Sequence, residues 1–424
     1  MTLVENEITQ KNVERARNNP EFEKYDETEH KLTPTNPELL EQLFKDQAYP
    51  VEQYYLSTPH DEFSLRVRAS YKPEGTVYSG AQKSRGEQAT DRALKRGEIP
   101  TDITADTFAY YKAMGLPQVH KLRTDVMEGV TVDFYDDPTE PVIVEVEHSD
   151  PEIRAYLLKV MQEMVGNTLV DRSDDPSLTN EAIAYRNTSA EKMRKPESLD
   201  TFTQRVLAEM VAHYVTGKNH VILTLEGPSG SGKSTVTRAL QEQIVELYGE
   251  AMKPVVVSTD DYHFGKKKLE EVYGAPYMDW DDAKTYNTAE LAAAIEGYTH
   301  GIPLVNRHFD FETEEPIYDA ELPASSPFII VEGLYAGSKD LHEVRNLHFE
   351  LPTGLATSVG RDVRRLVIDN RANRAFPTPE SRLRHQLETA LPIYLERQKP
   401  ERKSFSASVR PMAERAFMLE QLAR

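Results

Sequence analysis

Ten consecutive residues, Glu226–Thr235, read EGPSGSGKST and follow the apolar run VILTL. From Gly227 to Ser234 they fit the pattern G-x-x-x-x-G-K-[ST] without a mismatch. Glycines at 227, 230 and 232 let the main chain curl so that amide N–H groups point at one place. The N-terminus of a following helix adds partial positive charge there. Lys233 can reach the β- and γ-phosphates of a nucleotide, and Ser234 offers a hydroxyl to Mg²⁺. Gly227, Pro228, Ser229, Gly230, Ser231, Gly232, Lys233, Ser234 and Thr235 are therefore the expected ATP-binding loop.

Two more apolar runs end in acid. KPVVVSTDDYHF carries Asp260 and Asp261, and FIIVEG carries Glu332. Carboxylates at the carboxyl ends of parallel strands face the crevice where ligands bind in open α/β sheets. Asp260 could accept a proton from an attacking hydroxyl; equally, Asp260 or Asp261 could cap the turn that follows. Glu332 is placed to hold Mg²⁺, directly or through water. Further on, GRDVRRLVIDNRANR supplies Arg361, Arg364, Arg365, Arg371 and Arg374. Helical spacing brings the first three near one face, either closing over phosphates or forming a solvated basic face. Their local excess in an acidic chain favours the first.

The first half has its own charges, arranged by parity. In FSLRVRASY, Arg66 and Arg68 share one face while Phe63, Leu65 and Val67 take the other. Lys121 and Arg123 share a face in HKLRTDV, as do Glu145 and Glu147 in PVIVEVEHSD, and Lys83, Arg85 and Glu87 repeat the spacing. A sheet with one wet face would alternate in the same way. A sheet curled into a barrel would instead turn these residues into a polar interior, with cations for a polyphosphate and carboxylates for its Mg²⁺.

The elements that must position these groups are legible in outline. Residues 1–46 read as a polar leader with a helix-like piece at PELLEQLF, and 47–165 as half-buried strands closed by the helix PEIRAYLLKVMQEMV. The polar stretch 166–200 reads as a linker with one short helix, and 201–424 alternates helices with apolar strands, which implies a parallel sheet covered by helices. The expected fold class is α/β: a P-loop parallel sheet with flanking helices, preceded by an α+β antiparallel barrel.

A net charge of −20 argues against non-specific binding to nucleic acid or anionic membrane and leaves a small-molecule substrate as the expected partner. With no cysteine there are no disulfides, thiolate nucleophiles or cysteine zinc sites. The first twenty residues do not read as a signal peptide and no run is long enough to span a bilayer, so the expected location is the cytoplasm. A homo-oligomer is left open. Trp280 has no assigned role, the twelve histidines show no metal-ligand spacing, and PMAERAFMLEQLAR reads as an amphipathic helix that packs on the domain.

GPSGSGKST, VVVSTDDYHF, MDWDDAKTYN, GIPLVNRHFDF, FIIVEG and the arginine cluster stand in the order seen in the uridine kinase and phosphoribulokinase group of P-loop kinases. Over about residues 218–400 the chain resembles that group. The resemblance implies a Mg²⁺- and ATP-dependent kinase with an alcohol acceptor of the uridine or cytidine type or another small metabolite. It makes Asp260 the base, puts Lys233 on the phosphates and Glu332 and Ser234 on the metal, and gives Arg364 and Arg371 to a lid. It places Asp281, Phe309 and Asp310 at the acceptor. Uridine kinases typically carry Tyr-Asp-Phe where this chain has Phe309-Asp310-Phe311, and a histidine where it has Glu314. Those losses of hydrogen-bond partners point away from uridine itself.

VEQYYLS, LRVR, QKSRGE, HKLR, VDFY and VEVEHSD resemble, in order, the CYTH or triphosphate tunnel domains, over about residues 48–165. That likeness implies a tunnel lined by Glu52, Arg66, Arg68, Lys83, Arg85, Lys121, Arg123, Asp133, Glu145 and Glu147, with Glu52, Glu145 and Glu147 toward metal. Where the family opens with Glu-x-Glu-x-Lys, the matched positions are Pro50, Glu52 and Tyr54. One glutamate in place of two predicts phosphate binding without turnover. The competing expectation is a tunnel triphosphatase regulated by the P-loop domain.

Overall fold

The computed structural model describes residues 24–397, apart from 90, 187, 191–192, 276–279, 311, 323–325 and 369–375 and the side chains of 306 and 319–322. Its backbone forms two compact units. One is Glu197–Thr353 with the segment from Thr389; the other runs up to Pro196 and takes in Gly354–Glu388.

The unit with the first half is built on strands β1 (Asp26–Pro34), β2 (Tyr49–Tyr55), β3 (Phe63–Lys72), β4 (Gly75–Ser84), β5 (Glu87–Gln88), β6 (Leu94–Asp102), β7 (Gln118–Met127), β8 (Val130–Tyr135), β9 (Ile143–Glu147) and β10 (Leu169–Asp171). They pair in the order β10-β1-β9-β8-β7-β2-β3-β4-β6-β5, and β1 also pairs with β6, so eight strands close into an antiparallel barrel.

Directly opposed residues of an antiparallel pair share a face. Arg66 and Arg68 oppose Tyr55 and Gln53, Lys121 opposes Val51, and Arg123 opposes Tyr49 and Asp133. Glu145 opposes Thr131 and Lys31, Glu147 opposes Glu29, Glu27 opposes Arg96, and Lys83 opposes Glu98. One continuous face therefore carries the charges. The other carries Leu32, Val130, Val132, Val144 and Val146, which pack with residues of the helices Pro37–Phe44 and Pro151–Met164. The barrel is inside out relative to an ordinary globule: polar within, apolar beneath a helical coat. Each fully buried valine or leucine of that coat contributes about 1.5–3 kcal/mol.

This register corrects two expectations. Asp26–Pro34, expected within a polar leader, is the strand that closes the barrel through pairs with β6 and β9. Its sequence DETEHKLTP looks like a leader because Glu27, Glu29 and Lys31 face a charged interior and few apolar residues answer them. Glu52 opposes Ala69, on the face away from Arg66 and Arg68, so it does not line the interior. The helix expected at PELLEQLF is present, with the Asn36 side chain accepting from the Leu39 amide.

The other unit holds β11 (Val221–Glu226), β12 (Val255–Ser258), the hairpin β13 (Leu304–Asp310) and β14 (Glu315–Leu322), β15 (Phe328–Gly333) and β16 (Leu347–Glu350). Its sheet is parallel in the order β12-β15-β11-β16. Leu223, Leu225 and Ile330 pack with the helices Leu199–Val215 and Lys233–Tyr248, whereas Ile222, Ile329 and Val331 pack with the helix Thr288–Thr299. Coverage on both faces explains why these strands are nearly all apolar. Among the described residues no helix is long and apolar enough to cross a membrane.

Candidate functional site

The loop after β11 curls through Gly230 (φ 79°) and Gly232 (φ 97°), a left-handed conformation that favours glycine. Gly232 caps the helix Lys233–Tyr248 with no side chain on its first-turn amides. A helix N-terminus of this kind attracts an anion. Lys233 Nζ donates to the carbonyls of Gly227 (2.9 Å) and Pro228 (3.1 Å), and the Thr353 hydroxyl donates to Ser231 O (2.6 Å).

Strand pairing brings the acids to this loop. Glu332 stands opposite Leu225 on one side and Ser258 on the other, and Asp260 begins the turn after β12. Gly333 (φ 151°) permits the crowding, because a Cβ there would lie 1.8 Å from Thr259 Oγ1. Burial raises the Glu332 carboxyl above its usual range; Lys233 opposes the rise, Asp260 and Asp261 add to it, and a hydrogen bond from Ser234 opposes it. Asp260 is also raised by burial, with Lys233 opposing and Asp261 and Asp281 adding. The neighbouring Asp261 turns to the main chain instead, where its Oδ1 accepts from the Phe309 amide at 3.2 Å.

Near Asp260 lies a group of rings. His263 packs on Tyr286 (4.1 Å between centroids), Phe309 (4.9 Å) and Trp280 (5.8 Å), and Tyr286 packs on Tyr335 (4.3 Å). The Tyr335 hydroxyl donates to Asp281 O at 2.6 Å. Burial pushes His263 down to about 4, so it is neutral at physiological pH. The structure thus brings Asp281 and Phe309 together with Asp260. Asp310 is placed elsewhere: its carboxylate accepts from Glu312 N and from the Thr313 hydroxyl in the hairpin turn. Glu314 pairs with Lys266 at 2.5 Å.

The arginine segment also differs from expectation. The helix Leu355–Ile368 counts with the barrel unit, where Asp61 Oδ1 accepts from Thr357 N and Oγ1 and Glu62 pairs with Arg361. Arg364, expected over ATP, lies 4.7 Å above the Phe63 ring. The reason is packing: Ala356, Val359, Gly360 and Val363 are buried on one side of the helix, and Gly360 lies tight against Phe63. Arg371 and Arg374, like the C-terminal PMAERAFMLEQLAR, lie outside the described residues.

Inside the barrel the charges form a lattice of pairs. Lys121 (2.5 Å) and Arg123 (2.6 Å) share Asp133, and Arg123 also meets Glu145 (2.6 Å). Lys31 joins Glu145 (2.6 Å) and Glu29 (3.3 Å), Lys83 joins Glu27 (2.7 Å) and Glu98 (2.6 Å), Arg66 joins Glu98 (3.3 Å), and Arg96 joins Glu29 (2.7 Å). Burial would raise Asp133, but Arg123 and Lys121 outweigh it and hold the carboxyl below its usual range. Arg68 is pushed down to about 10 by burial and by neighbouring Arg123 and Arg66. Glu147 is pushed up to about 7, by burial first and then by Glu27, Glu29 and Glu98 against the opposing Lys83.

Of the expected lining, Arg66, Arg68, Lys83, Lys121, Arg123, Asp133, Glu145 and Glu147 lie on this face. Glu52 instead pairs with Lys112 on the outside (2.6 Å), and Arg85 holds the carbonyls of Thr58 and Asp61 and the carboxylate of Glu181. Glu27, Glu29, Lys31, Arg96 and Glu98 join the lining without having been expected there. The first three carry the Glu-x-Glu-x-Lys spacing, a signal present in the sequence but 25 residues before Glu52. The segment expected as a linker contributes as well, since Asn180 Oδ1 accepts from Lys121 Nζ and from the Tyr135 hydroxyl, each at 2.8 Å.

Several solved structures are similar to parts of the chain. A protein proposed to be a fructose transport system kinase, from Silicibacter sp. TM1040, aligns over 47% of this chain and 95% of its own at 22% identity (TM-score 0.38). A proposed uridine kinase from Bacillus stearothermophilus aligns over 40% and 95% at 15% identity (TM-score 0.28). An inorganic triphosphatase aligns over 37% and 93% at 22% identity (TM-score 0.24). No curated protein sequence matches. The model of the Phosphoribulokinase / Uridine kinase family matches residues 222–365. That stretch, with the glycine loop, Asp260 and Glu332 inside it, is a P-loop kinase domain of the Phosphoribulokinase / Uridine kinase family.

Proposed function

We propose that the chain transfers the γ-phosphoryl group of ATP to a hydroxyl of a neutral, ring-bearing small molecule, nucleoside-like or of similar shape. The observation that carries this reading is the convergence of two buried carboxylates, Asp260 and Glu332, on the loop that holds Lys233. The aromatic group around His263 offers flat surfaces to a ring, and Asp281 offers acceptors to its hydroxyls. A phosphorylated acceptor would instead meet Asp260, Asp261 and Asp281, which repel it.

Asp260, its carboxyl raised by burial, takes the proton of the acceptor hydroxyl as the new O–P bond forms and the bond from phosphorus to the bridging oxygen of ADP breaks. Lys233 turns from the carbonyls of Gly227 and Pro228 to the phosphates and, with the loop amides, balances the charge that moves. Magnesium fits this place: two raised carboxylates face a single lysine already shared between carbonyls. Ser234 and Glu332 would hold the ion, which when bound supplies positive charge to the phosphates. A panel of nucleosides, sugars and other alcohols with ATP and Mg²⁺, read by product mass, tests the reading. A phosphorylated alcohol that disappears in Lys233→Ala supports it; release of inorganic phosphate alone overturns it.

A second reading is favoured by Glu27, Glu29 and Lys31 in β1: the barrel takes an inorganic or organic polyphosphate and hydrolyses it. The paired acid expected near Glu52 stands in β1 instead, so the interior does not lack a glutamate for metal. Phosphate release from triphosphate that survives Lys233→Ala and is lost in Arg66→Ala supports this activity; release unaffected by Arg66→Ala excludes it.

A further inference from the structure

Arg397 ends the helix Leu391–Arg397, after the chain has returned from the barrel unit at Thr389. Leu391 and Tyr394 are buried and hold this helix in place. Among the described residues Arg397 contacts three different parts of the kinase site. Nη2 donates to Glu226 Oε1 at 2.5 Å, and Glu226 is the residue before Gly227. Nη1 donates to Leu334 O at 2.7 Å, two residues after Glu332. The guanidinium lies 3.9 Å over the ring of Tyr335, whose hydroxyl holds Asp281 O. The arrangement is tight, because a Cβ on Gly337 would lie 2.0 Å from Glu226 Oε2.

We infer that Arg397 is a positioning residue that fixes the phosphate loop, the strand end bearing Glu332 and the acceptor loop bearing Asp281 in one register. Its contacts named here are all to protein groups, and its role rests on the kinase reading above. A planar fork on a ring is what the three contacts require, and a lysine reproduces only the charge. Glu226 is raised by burial with Arg397 opposing first and Arg345 after it, so loss of Arg397 leaves a buried carboxylate without its hydrogen-bonded cation. Stability and positioning therefore need separate variants.

The test uses the full chain and four variants: Arg397→Lys, Arg397→Met, Glu226→Gln/Arg397→Met and Tyr335→Phe. Arg397→Lys is expected to melt near wild type yet lose about tenfold or more in kcat. Tyr335→Phe keeps the ring under Arg397 but removes the hydrogen bond to Asp281 O, so it raises the acceptor KM and leaves the ATP KM unchanged. Glu226→Gln/Arg397→Met recovers the melting temperature lost in Arg397→Met without recovering kcat, an outcome a purely structural arginine would not give. Hydrogen–deuterium exchange supplies a readout independent of activity. Arg397→Lys should speed amide exchange in both 226–233 and 280–286, and Tyr335→Phe in 280–286 alone. If wild type phosphorylates no alcohol, the kinase reading fails while exchange still judges the clamp. Unchanged exchange at 280–286 in Arg397→Lys, or full recovery of kcat in the double variant, overturns it.

Discussion

The barrel interior and the phosphate loop are both buried and both charged, yet they balance charge in opposite ways. In the barrel nearly every acid named above meets a cation within 3.3 Å, and Asp133 is held below its usual range. At the loop, Asp260 and Glu332 share one lysine and are both raised. The barrel holds its charges against each other before anything binds. At the loop no side chain caps the helix that starts at Lys233 and acid exceeds base, an arrangement that the proposed nucleotide and cation would complete. Breaking a preformed pair would cost stability, whereas the unbalanced acids weaken the fold at neutral pH.

Four substitutions probe that contrast. The largest effect belongs to Asp260→Asn, which should lower phosphoryl transfer by about 10²- to 10⁴-fold while binding of an ATP analogue persists. Stability should respond with opposite signs at the two places. Asp133→Asn leaves Lys121 and Arg123 without their shared carboxylate and should cost about 3–5 kcal/mol in denaturant unfolding. Asp260→Asn should raise the melting temperature at neutral pH. The signs follow from linkage. Asp133, lowered in the fold, stabilises above its unfolded pKa, and that stability is lost as pH falls through the folded value. Asp260, raised in the fold, destabilises at neutral pH, and the penalty is relieved as pH falls through its folded value.

Glu147 gives a middle-sized effect. With a pKa of about 7 it gains charge between about pH 6 and 8, so Mn²⁺ binding to the barrel should strengthen several-fold over that range. Glu147→Gln should flatten the profile, and titration calorimetry at three pH values checks it. Glu52→Ala is the smallest: its pair with half-exposed Lys112 is worth about 0–1 kcal/mol, and barrel ligand binding should not change. A loss of Mn²⁺ or triphosphate binding in Glu52→Ala would return Glu52 to the interior and contradict the register.

How much is legible in the sequence follows the same contrast. A phosphate loop works through consecutive main-chain amides, so its residues are contiguous, and Gly227–Ser234 can be read with its strand and helix. Asp260 and Glu332 stand out because each comes at the end of an apolar run. The barrel gathers its interior side chains from eight strands, where the only signal is parity. Parity serves β3, in which Arg66 and Arg68 alternate with Leu65 and Val67. It fails in β1, in which an interior of Glu27, Glu29 and Lys31 leaves too few apolar neighbours to mark a strand. Glu52 is misplaced for the same reason, since one residue of register moves a side chain to the other face. Arg364 shows a different limit. Its helix has the composition of a phosphate-binding lid, but Phe63, about 300 residues earlier, decides where it packs.

The most direct test of phosphotransfer is the mass of the product made from ATP and the best alcohol of the panel, by wild type and by Asp260→Asn side by side. Wild type should yield the alcohol with one added phosphoryl group, and the variant should bind the nucleotide and yield almost none. Equal yields from the two proteins would show that the carboxylate beside the glycine loop takes no proton, contradicting the proposed chemistry at its centre.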